Sequence, residues 1–445
     1  MSTGTRALVT LCTLTGTTEW VARRCGTRPL VPDVSVRRFA GWAGTTPDRF
    51  AGQLDRVRSF TDAGWSGHWS RIAERHMATA DGLLAELATA TGTAAPTVAA
   101  LLAPDHTAAV ADLGRLLAPA AGFVADRGAE RIPRRTERFA RSATAGAAID
   151  EHAIWAARAA DALLTAIGYD LIAAWPGHTP ARMAAHLRSQ RLLLALLTAS
   201  APGLGCAVET VDIPSTDGPV RIWTIFPSGE SRCPTVLVTN GLDGTAQELV
   251  LSLLRYRHTG IGFAVMEMPG AYAVGRPSTD PVRDYAAVLD RLVAHPRVDG
   301  SRIGMFGLSF GGYWSARMAA TDPRLRCAVA AGPPVHRSFG ATGVVGVPEV
   351  LLRAMIRALG AGGAAAMGTK LRALSLKRSG MRIEIPLLVV NGAADTVTDV
   401  RDSVWLATRA RHAVLWLYSN DDHCAMEHFG QWLTASIEWL RTTLR

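Results

Sequence analysis

Residues 302–312 read Arg-Ile-Gly-Met-Phe-Gly-Leu-Ser-Phe-Gly-Gly, and the fold of the whole C-terminal half turns on them. The first five form a short apolar run of buried-strand character, while Gly312 opens a stretch to residue 320 with helical spacing. Between the two lies Gly307-Leu308-Ser309-Phe310-Gly311. A strand that becomes a helix within so few residues needs glycines, because a Cβ on either flank would meet the crossing backbone. Such a turn lifts the Ser309 hydroxyl clear of the sheet, and the first N–H groups of the helix face any negative charge that develops on a bound carbonyl. The five-residue string alone is a weak signal; its seat between strand and helix strengthens it. The bland alternative is a serine in a glycine-rich turn.

A serine hydroxyl needs a base, and the base needs an orienting carboxylate. On a strand–turn–helix nucleophile, acid and then histidine follow in chain order. Residues 387–392 read as a buried strand entering a loop with Asp395, and 414–418 as a strand ending in Ser419-Asn420-Asp421-Asp422-His423. Asp395 and His423 are therefore the expected partners of Ser309. Asp399 is the alternative acid, although a helix-capping role suffices for it. His428 is the alternative base, expected within the last helix. Upstream, a strand at 235–239 enters Asn240-Gly241-Leu242-Asp243-Gly244, glycine-rich as close backbone approach to a ligand requires. Leu242 N–H and Phe310 N–H are the expected oxyanion donors, with Gly241 as the alternative to Leu242. Asp243 and Glu248 read as carboxylates favoured at a helix N-terminus; the sharper reading puts Glu248 on the substrate side of the pocket.

Working outward, strands at 208–213, 220–226 and 263–266 and one at 327–331 alternate with helices at 246–256, 282–294, 400–410 and 431–444. A leading hairpin followed by strand–helix alternation predicts a mostly parallel sheet covered on both faces. An apolar, Gly/Ala-rich helical insertion at 333–382 breaks the rhythm. Residues 1–205 read as successive helices separated by Gly92, Pro96, Pro104, Pro119, Pro133, Pro176 and Pro202. The division expected is a helical cap over 1–205 and a catalytic domain over 206–445.

Composition limits the rest. With 445 residues, 48% hydrophobic and 19% charged, the chain can bury a large core. The net charge of +9 is spread evenly, +5 over residues 1–200 and +4 beyond, which argues against a nucleic-acid stripe. No uninterrupted apolar run reaches the ~20 residues of a membrane span. Cys12, Cys25, Cys206, Cys233, Cys327 and Cys424 are scattered without a Cys-x-x-Cys pair, so neither a metal cluster nor a disulfide framework is expected, and the expected compartment is the cytoplasm.

From about residue 150 onward the chain resembles the fermentation–respiration-switch-like esterases, a group of α/β-hydrolases. The resemblance is carried by Asn240–Gly244 with Glu248, Met268-Pro269-Gly270, the elbow 307–311, Gly392 with Asp395, His423-Cys424, and Trp65-Ser66-Gly67-His68-Trp69. Asn240 stands where a glycine or histidine is usual, and the region around 88–150 is longer. The resemblance implies an α/β-hydrolase fold with a large helical N-terminal cap and serine-dependent hydrolysis, in some members of a carbon–carbon bond next to a ketone. The expected partner is thus a small-molecule carbonyl compound, aromatic or polyketide-like, with no cofactor, no metal, no nucleic acid and no membrane span; a homodimer is left open. Ester or thioester hydrolysis, product-releasing cyclisation and a non-catalytic binding role are the competing readings.

Overall fold

The computed structural model describes residues 3–126, 139, 150–229, 231–271, 274–340, 343 and 345–445, so the segments 127–138 and 140–149 of the longer N-terminal region, and residues 341, 342 and 344 of the insertion, lie outside the described residues. β1 (Cys206–Ile213) and β2 (Val220–Pro227) pair as an antiparallel hairpin around the turn at Gly218, whose φ of +107° suits glycine. β2 is also antiparallel to β4 (Gly262–Met266). β3 (Cys233–Thr239), β5 (Val298–Leu308), β6 (Leu325–Ala331), β7 (Leu387–Gly392) and β8 (Ala413–Tyr418) complete a parallel array with β4, in the order β1-β2-β4-β3-β5-β6-β7-β8. The strands expected from the sequence all form.

Successive residues of the inner strands face opposite sides of the sheet, so each strand feeds two cores. Leu237, Met305, Ala328, Leu387 and Val389 pack with Tyr285, Val288, Tyr313, Trp314 and Leu406 from helices Pro281–Val293, Phe310–Thr321 and Val400–Arg409. Val236, Val238, Phe306, Val329, Leu388 and Val390 join Leu249, Val250, Leu253, Trp432 and Ile437 from helices Ala246–Leu253 and Phe429–Thr443. That second core runs on without a break into the N-terminal helices, through Leu193, Leu196 and Leu197 of Pro180–Leu204 and Leu163, Ile167 and Leu171 of Glu151–Ala174.

At its heart the N-terminal layer holds an aromatic cluster. Trp69 stacks on Phe50 (5.2 Å between centroids), and Trp65 meets Phe39, Phe60 and Trp175. Trp65, Trp69 and Trp175 are fully buried in this cluster, and Trp175 in addition turns its indole N–H toward Asp243. Among the described residues one helical stretch, Thr107–Asp126, is long and apolar enough to cross a membrane by length and composition, although Asp112 and Arg115 interrupt its apolar run; half of it is buried inside the fold, where helix Thr107–Leu117 packs against Pro180–Leu204.

In open α/β sheets, ligand crevices lie beyond the carboxyl ends of the strands where the strand order reverses. Here the reversal falls between β3 and β5. Their carboxyl ends carry loop 240–244 and Ser309.

Candidate active site

Ser309 sits at the end of β5 with φ +56° and ψ −122°, and its N–H donates to the Ala331 carbonyl at 2.7 Å. A non-glycine residue in this region costs about 1–3 kcal/mol and persists only where its surroundings enforce it. The enforcement is visible in three glycines. A Cβ on Gly307 would lie 2.0 Å from the Gly311 carbonyl oxygen, one on Gly311 would lie 2.5 Å from that of Thr239, and one on Gly312 would lie 2.9 Å from that of Ala331. The elbow closes only because nothing projects at those positions.

His423 Nε2 lies 2.9 Å from Ser309 Oγ, and Nδ1 lies 2.9 Å from Asp395 Oδ2. A carboxylate only accepts, so Nδ1 carries the proton and Nε2 accepts from the serine hydroxyl. The Asp395 side chain is fully buried. Its Oδ1 accepts from Val397 N and Thr398 N, each at 2.8 Å, and its Oδ2 also accepts from Thr398 Oγ1 (2.6 Å) and Asn391 Nδ2 (2.9 Å). Burial alone would raise this carboxyl, but the charge and hydrogen bond of His423 with the Thr398 donors hold it below its ordinary value. For His423, burial disfavours the imidazolium, yet the Asp395 charge, with smaller help from Cys424 and the Asp395 hydrogen bond, carries its pKa well above the usual 6.5.

The two loops that deliver acid and base are bound to each other. Asn391, buried at the end of β7, donates to Asp395 and to Ser403 Oγ (3.1 Å) and accepts from Cys424 N (3.0 Å). A Cβ on Gly392 would fall 2.1 Å from the carbonyl oxygens of Asp421 and Asp422, so the histidine loop rests directly on that glycine. Asp422 accepts from Thr396 N (2.6 Å) and His423 N (2.7 Å), tying both loops again. Asp399 caps helix Val400–Arg409, accepting from Arg401 N at 3.0 Å, and makes no contact with the imidazole. His428 lies one residue before the last helix rather than within it, because Cys424 and Ala425 turn the chain at positive φ and delay the helix to Phe429; its Nδ1 bonds to Asp421, 2.8 Å away.

Loop 240–244 lies against the elbow. A Cβ on Gly241 would sit 2.8 Å from Ser309 Cβ and 3.2 Å from Phe310 N. Asn240, the departure from the usual pattern, is buried and donates to the Thr245 carbonyl at 2.5 Å, closing the loop under itself. Leu242 is buried at the tip, and Phe310 N belongs to the first residue of its helix. A cavity of about 180 Å³ opens over Ser309 and His423. Its walls come from all parts of the chain: Val34, Arg38 and Trp42, then Leu164 and Leu171, then Gly241, Asp243 and Glu248, and Leu351 of helix Glu349–Ala358 in the insertion.

Glu248 lines the cavity, as the sharper reading of the sequence has it, and Arg38, which carries no sequence signal, joins it there. Arg38 Nη1 donates to Asp243 Oδ2 at 2.9 Å, Nη2 donates to the Asp243 carbonyl, and Nε pairs with Glu248 Oε1 at 2.9 Å. Burial would raise the Asp243 carboxyl, but Arg38 and the Trp175 indole hold it below its ordinary value, whereas burial wins at Glu248 and lifts it. Among the described residues no group of three or more His, Cys, Asp or Glu side chains is arranged to hold a metal ion, and the six cysteines are unpaired.

This architecture defines an α/β-hydrolase. The chain belongs to the FrsA-like esterases: the family described as "Esterase FrsA-like" matches residues 145–445. It is similar to the esterase FrsA of Photobacterium profundum, 26% identical over 308 residues that cover 64% of this chain and 70% of that one. The esterase FrsA of Salmonella typhi is 28% identical over 231 residues, 48% of this chain and 56% of the other, so the chain spans about half the length of that relative. Among solved structures, the 2,6-dihydroxy-pseudo-oxynicotine hydrolase shares the fold at a TM-score of 0.62 and 17% identity, over 92% of this chain and 95% of its own. The structure of AbyA5 matches at a TM-score of 0.55 and 25% identity, over 62% of this chain and 83% of that one.

Proposed function

We propose that the chain is a serine hydrolase in which Ser309 attacks a carbonyl carbon, His423 takes the hydroxyl proton, and Asp395 fixes the imidazole tautomer. The supporting observation is the unbroken Ser309–His423–Asp395 hydrogen-bond chain, 2.9 Å at each link, at the floor of a walled cavity. Phe310 N–H and an N–H of the 240–244 loop, Leu242 or Gly241, receive the oxyanion. Collapse of the tetrahedral adduct expels the leaving group, which takes the proton from Nε2, and leaves an ester of Ser309. Water gives its proton to His423, attacks the ester carbonyl, and frees the acid as the proton returns to Ser309.

The substrate in this reading is bulky and mostly apolar, because Val34, Leu164, Leu171 and Leu351 supply the walls. Residues 1–205 act as the cap and 333–382 as a second lid, shielding the carbonyl from bulk water. The name borne by the relatives supports an ester or thioester as the bond cut. A second reading, hydrolysis of a carbon–carbon bond in a 1,3-dicarbonyl or aryl ketone from aromatic or polyketide secondary metabolism, is favoured by Glu248. Glu248 lies on the cavity wall paired with Arg38 at 2.9 Å, and this polar end of an otherwise apolar pocket suits the second carbonyl of such a substrate. If a hydroxyl of the substrate replaces water, the same acyl-enzyme yields a cyclised product.

Products decide between these. An ester panel and an aryl 1,3-diketone are incubated with the protein and analysed by mass spectrometry for alcohol plus acid, or for two shortened carbon fragments. Fluorophosphonate labelling at a residue other than Ser309 would remove the nucleophile assignment and the whole reading with it.

A further inference from the structure

The loop that carries Gly241 and Leu242 is anchored from a point 205 residues earlier in the chain. Arg38 stands on helix Asp33–Trp42, in the N-terminal layer, and its guanidinium reaches across the cavity wall. One nitrogen donates to the Asp243 carboxylate and another to the Asp243 main-chain carbonyl, so both the side chain and the backbone of the loop are pinned. Trp175 adds an indole N–H to the same carboxylate oxygen at 2.8 Å. The arginine is itself fixed by Glu248 at 2.9 Å and by the Trp42 ring, 4.7 Å from its Cζ.

We propose that Arg38 is a positioning residue of the oxyanion hole. The proposal rests on Ser309 being the nucleophile and on the loop supplying a donor. Two physical effects support it. Asp243 directly follows Leu242, and a bare carboxylate there would repel the negative charge that the carbonyl oxygen gains in the transition state; the guanidinium cancels it. The bond to the Asp243 carbonyl also holds the main chain at one end of the loop, while Asn240 holds it at the other through Thr245. A donor that shifts by a fraction of an ångström loses most of its value in the transition state and little in the ground state, so the effect belongs in kcat rather than KM. Lysine keeps the charge but lacks the planar fork that spans carboxylate and carbonyl together.

The test compares the wild type with Arg38→Met, Arg38→Lys and the double variant Arg38→Met/Asp243→Asn, using p-nitrophenyl butyrate. Turnover is normalised to Ser309 sites titrated to completion with a fluorophosphonate, which removes misfolded protein from the comparison. In Arg38→Met, kcat should fall about 10²-fold, as when one oxyanion donor is lost, with KM within about threefold. Arg38→Lys should recover part of the loss. The double variant should regain about tenfold over Arg38→Met, because of the two carboxylates stranded there, Asp243 and Glu248, the one adjoining the loop donor has gone. A kcat unchanged in Arg38→Met, or a change confined to KM, overturns the proposal. So does a double variant no faster than Arg38→Met together with a lysine variant no faster than methionine, since packing alone then explains the loss. A wild-type protein that takes no label on Ser309 removes the nucleophile, and the proposed role of Arg38 falls with that reading.

Discussion

Replacing Asp395 by asparagine keeps the outline of the side chain and exchanges an acceptor for a donor. The amide can leave its oxygen where Oδ1 accepts from Val397 N and Thr398 N, and its NH2 then faces three groups at 2.6–2.9 Å: Thr398 Oγ1, Asn391 Nδ2 and His423 Nδ1. Thr398 can rotate to accept, but Asn391 now points donor at donor. His423 must accept at Nδ1, so its proton moves to Nε2 and the Ser309 hydroxyl loses its base. A wrong-tautomer histidine costs about 10⁴-fold in kcat in serine hydrolases of this type. The charge-assisted bonds lost at Oδ2 are worth about 1.5–3 kcal/mol each, offset in part because a buried charge is no longer desolvated, so a net loss of about 1–3 kcal/mol in stability is expected. The pH profile carries a sign. With Asp395 present, the His423 pKa lies well above 6.5, and activity rises as pH passes through that value and the imidazole becomes neutral. Without the carboxylate, the acid limb of the residual activity moves to lower pH. Urea melts should show the stability gap largest between the ordinary values of the two groups, 3.8 for the carboxyl and 6.5 for the imidazole, where both shifts contribute in full. It shrinks in acid as Asp395 protonates, and shrinks again in base as the imidazolium, whose raised pKa stabilises the fold below it, is lost. Asp399→Asn is the control: asparagine still caps the helix, and kcat should stay within about twofold. If Asp395→Asn keeps kcat within tenfold, or Asp399→Asn is the more damaging at equal stability, the placement of the acid is wrong.

Three further substitutions probe other parts of the site and fold. Ser309→Gly should abolish turnover yet raise thermal stability, since glycine occupies φ +56° without the about 1–3 kcal/mol of strain; a lower melting temperature would contradict the strain argument. Gly241→Ala places a Cβ 2.8 Å from Ser309 Cβ, which must push the loop from the elbow and cut kcat about 10²–10³-fold, as measured by steady-state ester hydrolysis. Trp69→Ala should cost about 3–5 kcal/mol in denaturant unfolding while leaving turnover per titrated Ser309 site nearly unchanged, because Trp69 packs on Phe50 and Tyr169 and does not line the cavity.

The sequence carried the sheet and the elbow because their signals are local. The short apolar runs at 235–239, 302–306 and 387–390 need only neighbouring residues to be read as strands, and Gly307, Gly311 and Gly312 announce close backbone approach within one turn. Asp395 and His423 could be placed because strand ends are where loops begin. Asn391 carries no comparable signal, since an asparagine at a strand end looks like a turn residue until Asp395 and Cys424 stand on either side of it. Arg38 was still further out of reach: nothing within its helix distinguishes it from Arg37, and only packing of the two layers shows that one meets Asp243 and the other Glu427 near the surface. His428 departs from its expected place within the helix for a backbone reason, as two consecutive left-handed residues, Cys424 and Ala425, interrupt what reads as a continuous helical approach.

Helix Pro180–Leu204 ends at Gly205, with φ +63°, and β1 starts at Cys206. A single residue joins the two layers at this point, and both contribute to one apolar core, so parting them would expose Leu193, Leu196 and Leu197 to water. The chamber over Ser309 is better compared with a masonry vault, in which Arg38 and Trp175 are set into the same course of stones as Asp243. Recombination feels the difference. A chimera that takes residues 1–205 from one relative and the rest from another transfers only half of each contact across the seam, and Asp243 and Glu248 without an arginine are two largely buried carboxylates with no neutralising charge. New substrate preferences in such a scaffold therefore have to arise by changing wall residues such as Val34, Leu164 and Leu351 in place, while the joint itself is passed on whole.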